Sequence, residues 1–94
     1  MLLKLALLEQ IKAGDVDLVF RRWSRPSVKP GGRLKTKLGL LAIGAVTDMD
    51  PAAVSEADAK RAGFEDVADF HKWLDTMKPG HLFQRIEVSF PPEA

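Results

Sequence analysis

The sequence predicts an α+β fold, a small mixed β-barrel with about three peripheral helices in a single domain spanning residues 1–94. The order of apolar periodicities is helix, three strands, two helices and a last strand. Two glycines, Gly39 and Gly44, interrupt an apolar run where a barrel strand would bend. The last strand can find a partner only far back in the chain, which favours one small closed core.

The first half of the chain predicts one helix and three strands. Its segments are a helix over 2–13, strands over 18–23, 33–37 and 38–46, and a loop over 25–32 rich in proline and glycine. A short strand over the first four or five residues is an alternative to the start of that helix. Gly14 follows the helix where left-handed geometry commonly ends one. The third strand is apolar on both sides, so we expect it to be buried on both faces.

The second half predicts a turn, two helices and the last strand. Residues 48–51 form the turn, and Ser55 is placed to cap a short helix that Gly63 should end. Asp66 then caps a helix over 67–77, whose apolar residues recur at helical spacing. In the strand over 81–90, Leu82, Ile86, Val88 and Phe90 share one side, with Phe83 and Gln84 as exceptions to the alternation.

Charge is distributed unevenly although the net charge is only +1. No acid occurs from Leu18 to Thr47, whereas the basic residues there are Arg21, Arg22, Arg25, Lys29, Arg33, Lys35 and Lys37. The acids concentrate between residues 48 and 76. A basic half of this kind favours a polyanion or a phosphorylated ligand, although both halves are equally consistent with solvated faces.

The composition excludes several classes of chemistry. Without cysteine the chain has no disulfide, thiolate nucleophile or cysteine-based metal site. His71 and His81 lack a second ligand at metal-binding spacing, so we expect no metal and no cofactor. The apolar N-terminal run is interrupted by Lys4 and is too short to span a bilayer, so we expect a cytoplasmic protein without membrane contact.

A basic and aromatic cluster is the candidate ligand-binding site. It comprises Arg21, Arg22, Trp23 and Arg25, with Lys29, Arg33 and Lys35 as an extension. Guanidinium groups beside an indole suit a ligand that carries both a phosphate and a base. One alternative is that Trp23 is core, with the arginines solvated or paired to acids of the C-terminal half. The other is that the later basic residues protect an edge strand from aggregation.

The cluster overlaps a sequence signature. Gly14, Val16, Val19 and Arg21 occupy the four fixed positions of a pattern that resembles the Gly-x-Lys-x-x-Thr-x-Arg signature of ASCH domains, members of the PUA-like β-barrel superfamily. Pro30 and the next residue resemble the Pro-Gly-Asp turn of that family, with Gly32 in place of its Asp. The segments 55–64, 67–70 and 85–90 are similar to its second half. The resemblance implies a PUA-like fold and favours Arg21 as the residue that points into a cleft.

Departures from the family pattern affect its chemistry. The resemblance implies a catalytic Lys, Thr and Glu in ASCH amidohydrolases that act on acetylated cytidine. Here those positions are Val16, Val19 and Ala62. Because valine can neither attack a carbonyl nor move a proton, we expect this hydrolase activity to be absent.

Three functions remain open from the sequence. The first is a non-catalytic PUA-like domain that binds RNA or a nucleotide-like anionic ligand. The second, implied by the resemblance, is a ribonuclease. The third is a protein-interaction module that uses an exposed edge strand, or an ordinary homodimer. We expect the chain to be a monomer or a homodimer.

Overall fold

The computed structural model describes residues 3–24, 28–77 and 80–90. The elements are helix α1 (Leu5–Ala13), strands β1 (Leu18–Trp23), β2 (Arg33–Thr36) and β3 (Gly39–Asp48), a single 3₁₀ turn (Pro51–Ala53), helices α2 (Glu56–Arg61) and α3 (Val67–Asp75), and strand β4 (Leu82–Ser89). The strands form one antiparallel sheet in the order β1-β4-β3-β2, curled into half a barrel. The predicted α+β fold with about three helices is confirmed.

The last strand lies in the middle of the sheet. β4 pairs with β1 on one side, where Arg21 lies opposite Gln84, and with β3 on the other, where Asp48 lies opposite the same residue. The prediction that this strand pairs far back in the chain is therefore confirmed. A central strand is covered on both faces, which explains why Phe83 and Gln84 broke the simple alternation: both are buried.

Two apolar clusters lie on opposite faces of the sheet. The first joins α1 to the sheet through Ile11, Val16, Val19, Leu41, Ile43, Ile86 and Val88. The second joins α2 and α3 to the sheet through Leu18, Phe20, Val54, Ala59, Phe70, Leu74 and Phe83. In β1, successive residues alternate between the two clusters, so neighbouring side chains of this strand point to opposite faces.

Helix ends follow the predicted caps with two corrections. Ser55 Oγ accepts from the amide of Asp58 at 3.1 Å, and Asp66 Oδ1 accepts from Asp69 at 2.7 Å. Helix α1 begins at Leu5 rather than in the first residues, because Lys4 is extended and provides no side-chain cap. Helix α3 ends at Asp75, before the predicted residue 77, because the next two amides bond to carbonyls only three residues back.

The third strand differs from its prediction in length and burial. It runs from Gly39 to Asp48, and its pairing register shifts between Ile43 and Val46, which confirms a bend at Gly44. The expectation that both faces are buried was wrong. Leu40 is 55% exposed, and it lies opposite the exposed Lys35 of β2.

Candidate functional site: a cleft at the edge of β1

A cleft of about 300 Å³ opens along the outer edge of β1. Four parts of the chain form its walls: helix α1 with the residue before it, strand β1, the connection from α2 to α3, and α3 itself through Trp73. The lining residues are Lys4, Leu7, Gln10, Leu18, Val19, Phe20, Arg21, Ala62, Gly63, Phe64 and Trp73. β1 is an edge strand, so half of its backbone groups face this cleft.

Two glycines bring the walls together. Gly14 ends α1 at φ 88°, a left-handed conformation, and the chain turns back so that Asp15 and Val16 donate their amides to the Gln10 carbonyl. Gly63, at φ 93°, follows α2, and a Cβ there would lie 3.2 Å from Val16 Cγ2. Gly63, which lines the cleft, is thereby held close to Val16, two residues before β1.

A salt bridge fixes the start of β1 against α2. The Asp17 amide donates to the Arg61 carbonyl at 3.0 Å, and the Arg61 guanidinium in turn donates from Nε to Asp17 Oδ1 at 2.9 Å and from Nη2 to Oδ2 at 3.2 Å. Both side chains are about half exposed, so the pair contributes more to orientation than to stability.

Arg21 lies at the open edge of the strand. The Asp17 carbonyl accepts from Val88 in β4, and because peptide direction alternates along a strand, the Phe20 carbonyl points the other way, toward the cleft. Arg21 Nη1 donates to that carbonyl at 2.9 Å. The guanidinium therefore turns over the strand edge. Burial lowers the pKa of Arg21, because desolvation disfavours its charged form.

The cleft carries positive charge beside aromatic rings. Lys4 and Arg21 are the charged residues among its described lining, and both are basic. Phe64 and Trp73 are half-buried, with ring centroids 5.2 Å apart and planes tilted by 51°. Gln10, which is exposed, adds an amide that can both donate and accept hydrogen bonds.

The predicted basic and aromatic cluster does not converge on this cleft. Arg22 points to the opposite face, where Nη2 donates to the carbonyls of Met77 at 3.0 Å and Leu74 at 3.3 Å, beside the end of α3. A cation is favourable at a helix C-terminus, so this contact gives Arg22 a structural role. The predicted ligand residue Arg25 lies outside the described residues.

Trp23 has an interior role. It packs against the first apolar cluster, and its Nε1 donates to Gln84 Oε1 at 2.8 Å. Gln84 Nε2 donates to Asp48 Oδ1 at 2.8 Å, so one hydrogen-bonded chain crosses three strands. A Cβ on Gly80 would lie only 2.8 Å from the Trp23 backbone, which keeps this end of β1 tightly covered. The interpretation of Trp23 as core therefore fits the structure better than a stacking platform.

The remaining predicted residues lie on the other edge of the sheet. Lys29, Arg33 and Lys35 are exposed on β2 and the turn before it, whereas Arg21 is on β1. The predicted continuous basic surface is thus divided between two edges. Sequence reasoning missed Lys4, Gln10, Phe64 and Trp73 as cleft residues, and the break at Gly63 was the signal that could have placed Phe64 there.

Neither a metal centre nor a membrane helix is found in the part of the chain that the structure describes. No three His, Asp or Glu side chains there lie close enough to hold a metal ion. None of the helices in that part has the length and apolar character needed to cross a bilayer. Known proteins provide no further identification, because no protein family, curated protein or solved structure matches the chain.

Proposed function

We propose that the cleft at the edge of β1 binds a nucleotide unit of single-stranded RNA, or a nucleotide-like anionic ligand, without transforming it. The observation that carries this proposal is the placement of Arg21 in one cleft with the partly exposed rings of Phe64 and Trp73. An arginine supplies a planar cationic fork for phosphate, and aromatic rings supply a surface on which a base can stack.

The charge of the cleft selects an anion. Both charged residues of its described lining are cationic, so an anionic ligand meets no opposing carboxylate there. A bound phosphate would add charge-assisted hydrogen bonds from the Arg21 guanidinium.

The size of the cleft limits the ligand. A volume of about 300 Å³ lies at the lower end of small-molecule sites, so it suits one base with its sugar or phosphate. A base inside a duplex cannot reach such a cleft without being unstacked. Single-stranded RNA therefore fits better than duplex RNA.

The ASCH resemblance supports the same location. The fixed glycine and arginine of its signature correspond to Gly14 and Arg21, and the glycine of its later Gly-Phe pair corresponds to Gly63. In the structure, Arg21 and Gly63 line one cleft and Gly14 closes the helix beside it. A divergent PUA-like ASCH domain is accordingly the family that we propose for this chain.

The chemistry of the lining favours binding over catalysis. Val19 and Ala62 line the cleft where the family pattern has its Thr and Glu. Val16, in place of its Lys, is buried next to Gly63. The described lining includes no carboxylate, imidazole or hydroxyl side chain. It therefore lacks the usual general bases, apart from the Lys4 amine.

A binding assay with a matched pair of variants tests the proposal. A labelled single-stranded RNA of about eight nucleotides, within the site size of small single-strand binders, is titrated with the wild type, Arg21→Gln and Arg33→Gln. We expect Arg21→Gln to weaken binding by about tenfold, as loss of a charge-assisted contact does. Arg33→Gln removes the same charge at the other sheet edge, and it should leave the affinity within about twofold of wild type.

Salt dependence and RNA integrity complete the test. With two cationic groups in the cleft, the logarithm of the association constant should fall against log salt with a slope of about −1 to −2. The RNA should remain full-length on a denaturing gel. Equal loss of affinity in both variants would contradict the cleft as the site, and RNA cleavage by the wild type but not by Arg21→Gln would favour the ribonuclease instead.

A further inference from the structure

We infer that the free edge of β2 is a docking surface for an extended segment of a partner protein whose apolar and acidic residues alternate. The surface comprises strand β2 and the groove between it and the start of α1. It lies at the sheet edge opposite the β1 cleft and is independent of the function proposed for that cleft.

The backbone of β2 offers hydrogen-bonding groups at regular spacing. The Gly32 carbonyl accepts from the Ile43 amide in β3 at 3.0 Å. Because successive peptide groups alternate in direction, the amide and carbonyl of Arg33 and of Lys35 point away from β3. Among the described residues, no backbone hydrogen bond outside the sheet involves either residue. An added strand would meet two sets of donor and acceptor groups.

The groove beside β2 is apolar. It has a volume of about 410 Å³, and its lining residues are Leu3, Leu5, Leu8, Leu34, Lys35, Thr36 and Lys37. Leu5 is 46% exposed, one of two large apolar side chains that stand out from the described surface. Leu34 points from β2 toward this groove, so a strand paired with β2 would place every second side chain over the same leucines.

The charges around the edge set the other half of the pattern. Arg33 and Lys35 are exposed and lie on the face of β2 opposite Leu34, and Lys37 follows in the turn. No acid occurs in the chain from Leu18 to Thr47. The side chains of an added strand that lie beside Arg33 and Lys35 are therefore best acidic, since opposite charges on neighbouring strands attract.

This combination favours a peptide over a nucleic acid or a bare edge. A nucleic acid would use the lysines but would have no contact suited to the leucine groove. Basic residues on an edge strand also discourage pairing with another basic strand, which makes the edge selective for an acidic one.

The probe is a synthetic peptide of about eight residues, the length of an ordinary strand, with both termini capped. Valine and glutamate alternate along it. Two controls have the same length: one with valine and lysine, and one with the valines and glutamates in separate blocks. Titration into the full ¹⁵N-labelled chain should move the amide signals of Arg33 and Lys35 and slow their exchange with solvent. The control peptides should bind at least about tenfold more weakly.

Two pairs of variants make the test specific. Lys35→Pro removes an outward donor without removing a bond to β3, so the chain should fold as judged by circular dichroism and lose about tenfold in peptide affinity. Lys35→Thr retains the backbone donor, so it should lose less peptide affinity than Lys35→Pro. Leu5→Asp places a charge in the groove and should abolish binding, whereas Leu40→Asp, at the exposed leucine outside the groove, should not.

Several results would overturn the inference. They are equal binding of the three peptides, an unchanged affinity of Lys35→Pro, and peptide-induced shifts confined to β1. Concentration-dependent self-association that Lys35→Pro abolishes would assign the edge to a second copy of this chain. Displacement of the peptide by single-stranded RNA from Arg21→Gln, whose β1 cleft is impaired while β2 is unaltered, would assign the edge to nucleic acid.

Discussion

Trp23 donates its indole hydrogen to Gln84 across 2.8 Å, from the edge strand β1 to the central strand β4. Gln84 is only 8% exposed, and its Nε2 donates a hydrogen bond to Asp48 in β3. The tryptophan nearest to the basic cluster in sequence is thus held by the sheet, and the tryptophan available to a ligand is Trp73.

Replacing Trp23 with Phe should destabilise the protein without changing its affinity for RNA. The variant leaves the buried Gln84 Oε1 without its donor, which should lower the free energy of unfolding by about 1–3 kcal/mol. Urea denaturation measures this loss. RNA affinity measured where both proteins are folded should stay within about twofold of wild type, and a large loss of affinity at unchanged stability would contradict the interior role.

Replacing Trp73 with Leu should have the converse effect on the ligand. The leucine retains much of the packing against the second apolar cluster but removes a ring from the cleft. Loss of one base-stacking partner is worth about 1–3 kcal/mol, so RNA affinity should fall by roughly fivefold or more. Fluorescence anisotropy of labelled RNA measures the affinity of Trp73→Leu, and Trp23→Phe measured in parallel is its control. An affinity equal to that of the wild type would remove Trp73 from the site.

Arg22 and Arg21 are adjacent in sequence but should behave differently when substituted. Arg22→Met removes the donors to the carbonyls of Leu74 and Met77, and it should lower the free energy of unfolding by about 1–2 kcal/mol. Thermal and urea unfolding measure this change. Its RNA affinity should match the wild type, whereas that of Arg21→Gln should not. A loss of RNA binding in both variants would indicate a nonspecific charge effect.

Asp58 in α2 pairs with two arginines, Arg61 in the same helix and Arg85 in β4. It accepts from Arg85 Nε at 3.0 Å, and Arg61 Nη1 lies 3.5 Å from it. Asp58→Asn should lower the free energy of unfolding by about 1–3 kcal/mol, because the Arg85 side chain is 19% exposed and would lose a charged partner. The more exposed Arg61→Gln should cost less than about 1 kcal/mol. Equal losses in urea denaturation would contradict this ranking.

The pH dependence of the Asp58 network follows from its arginines. The hydrogen bond to Asp58 is the largest cause that raises the pKa of Arg85 above its ordinary value. A raised pKa of a basic group stabilises the fold fully below the unfolded-state pKa, and this contribution disappears only as pH rises through the folded-state value. Arginine titration should therefore leave stability unchanged across neutral and mildly alkaline pH.

Local sequence signals were sufficient for the elements and their caps. Ser55 and Asp66 cap their helices as predicted, and the bend at Gly44 occurs where a glycine interrupts an apolar run. Each of these features depends on residues a few positions apart, so the residue types alone indicate them. The late start of α1 was missed because an apolar run gives no boundary when no capping residue precedes it.

The composition of the site was beyond local signals. Arg21 was placed at a cleft by resemblance and does line one, but its aromatic neighbours Phe64 and Trp73 are more than forty residues away in sequence. The sequence favoured Trp23 as the aromatic ring of the site because it is adjacent to Arg21 and Arg22 in the chain. Its indole is held by Gln84, a polar residue whose pairing with β1 is set by the tertiary fold.

The two tryptophan indole signals provide the most direct test of RNA binding at the β1 cleft. A ¹⁵N-labelled sample has one indole N–H from each of its two tryptophans, Trp23 and Trp73. On titration with single-stranded RNA at low salt, we predict that the Trp73 indole signal and the amides of residues 62–64 shift, while the Trp23 indole signal stays in place. A shift of the Trp23 indole with an unmoved Trp73 indole would contradict the account.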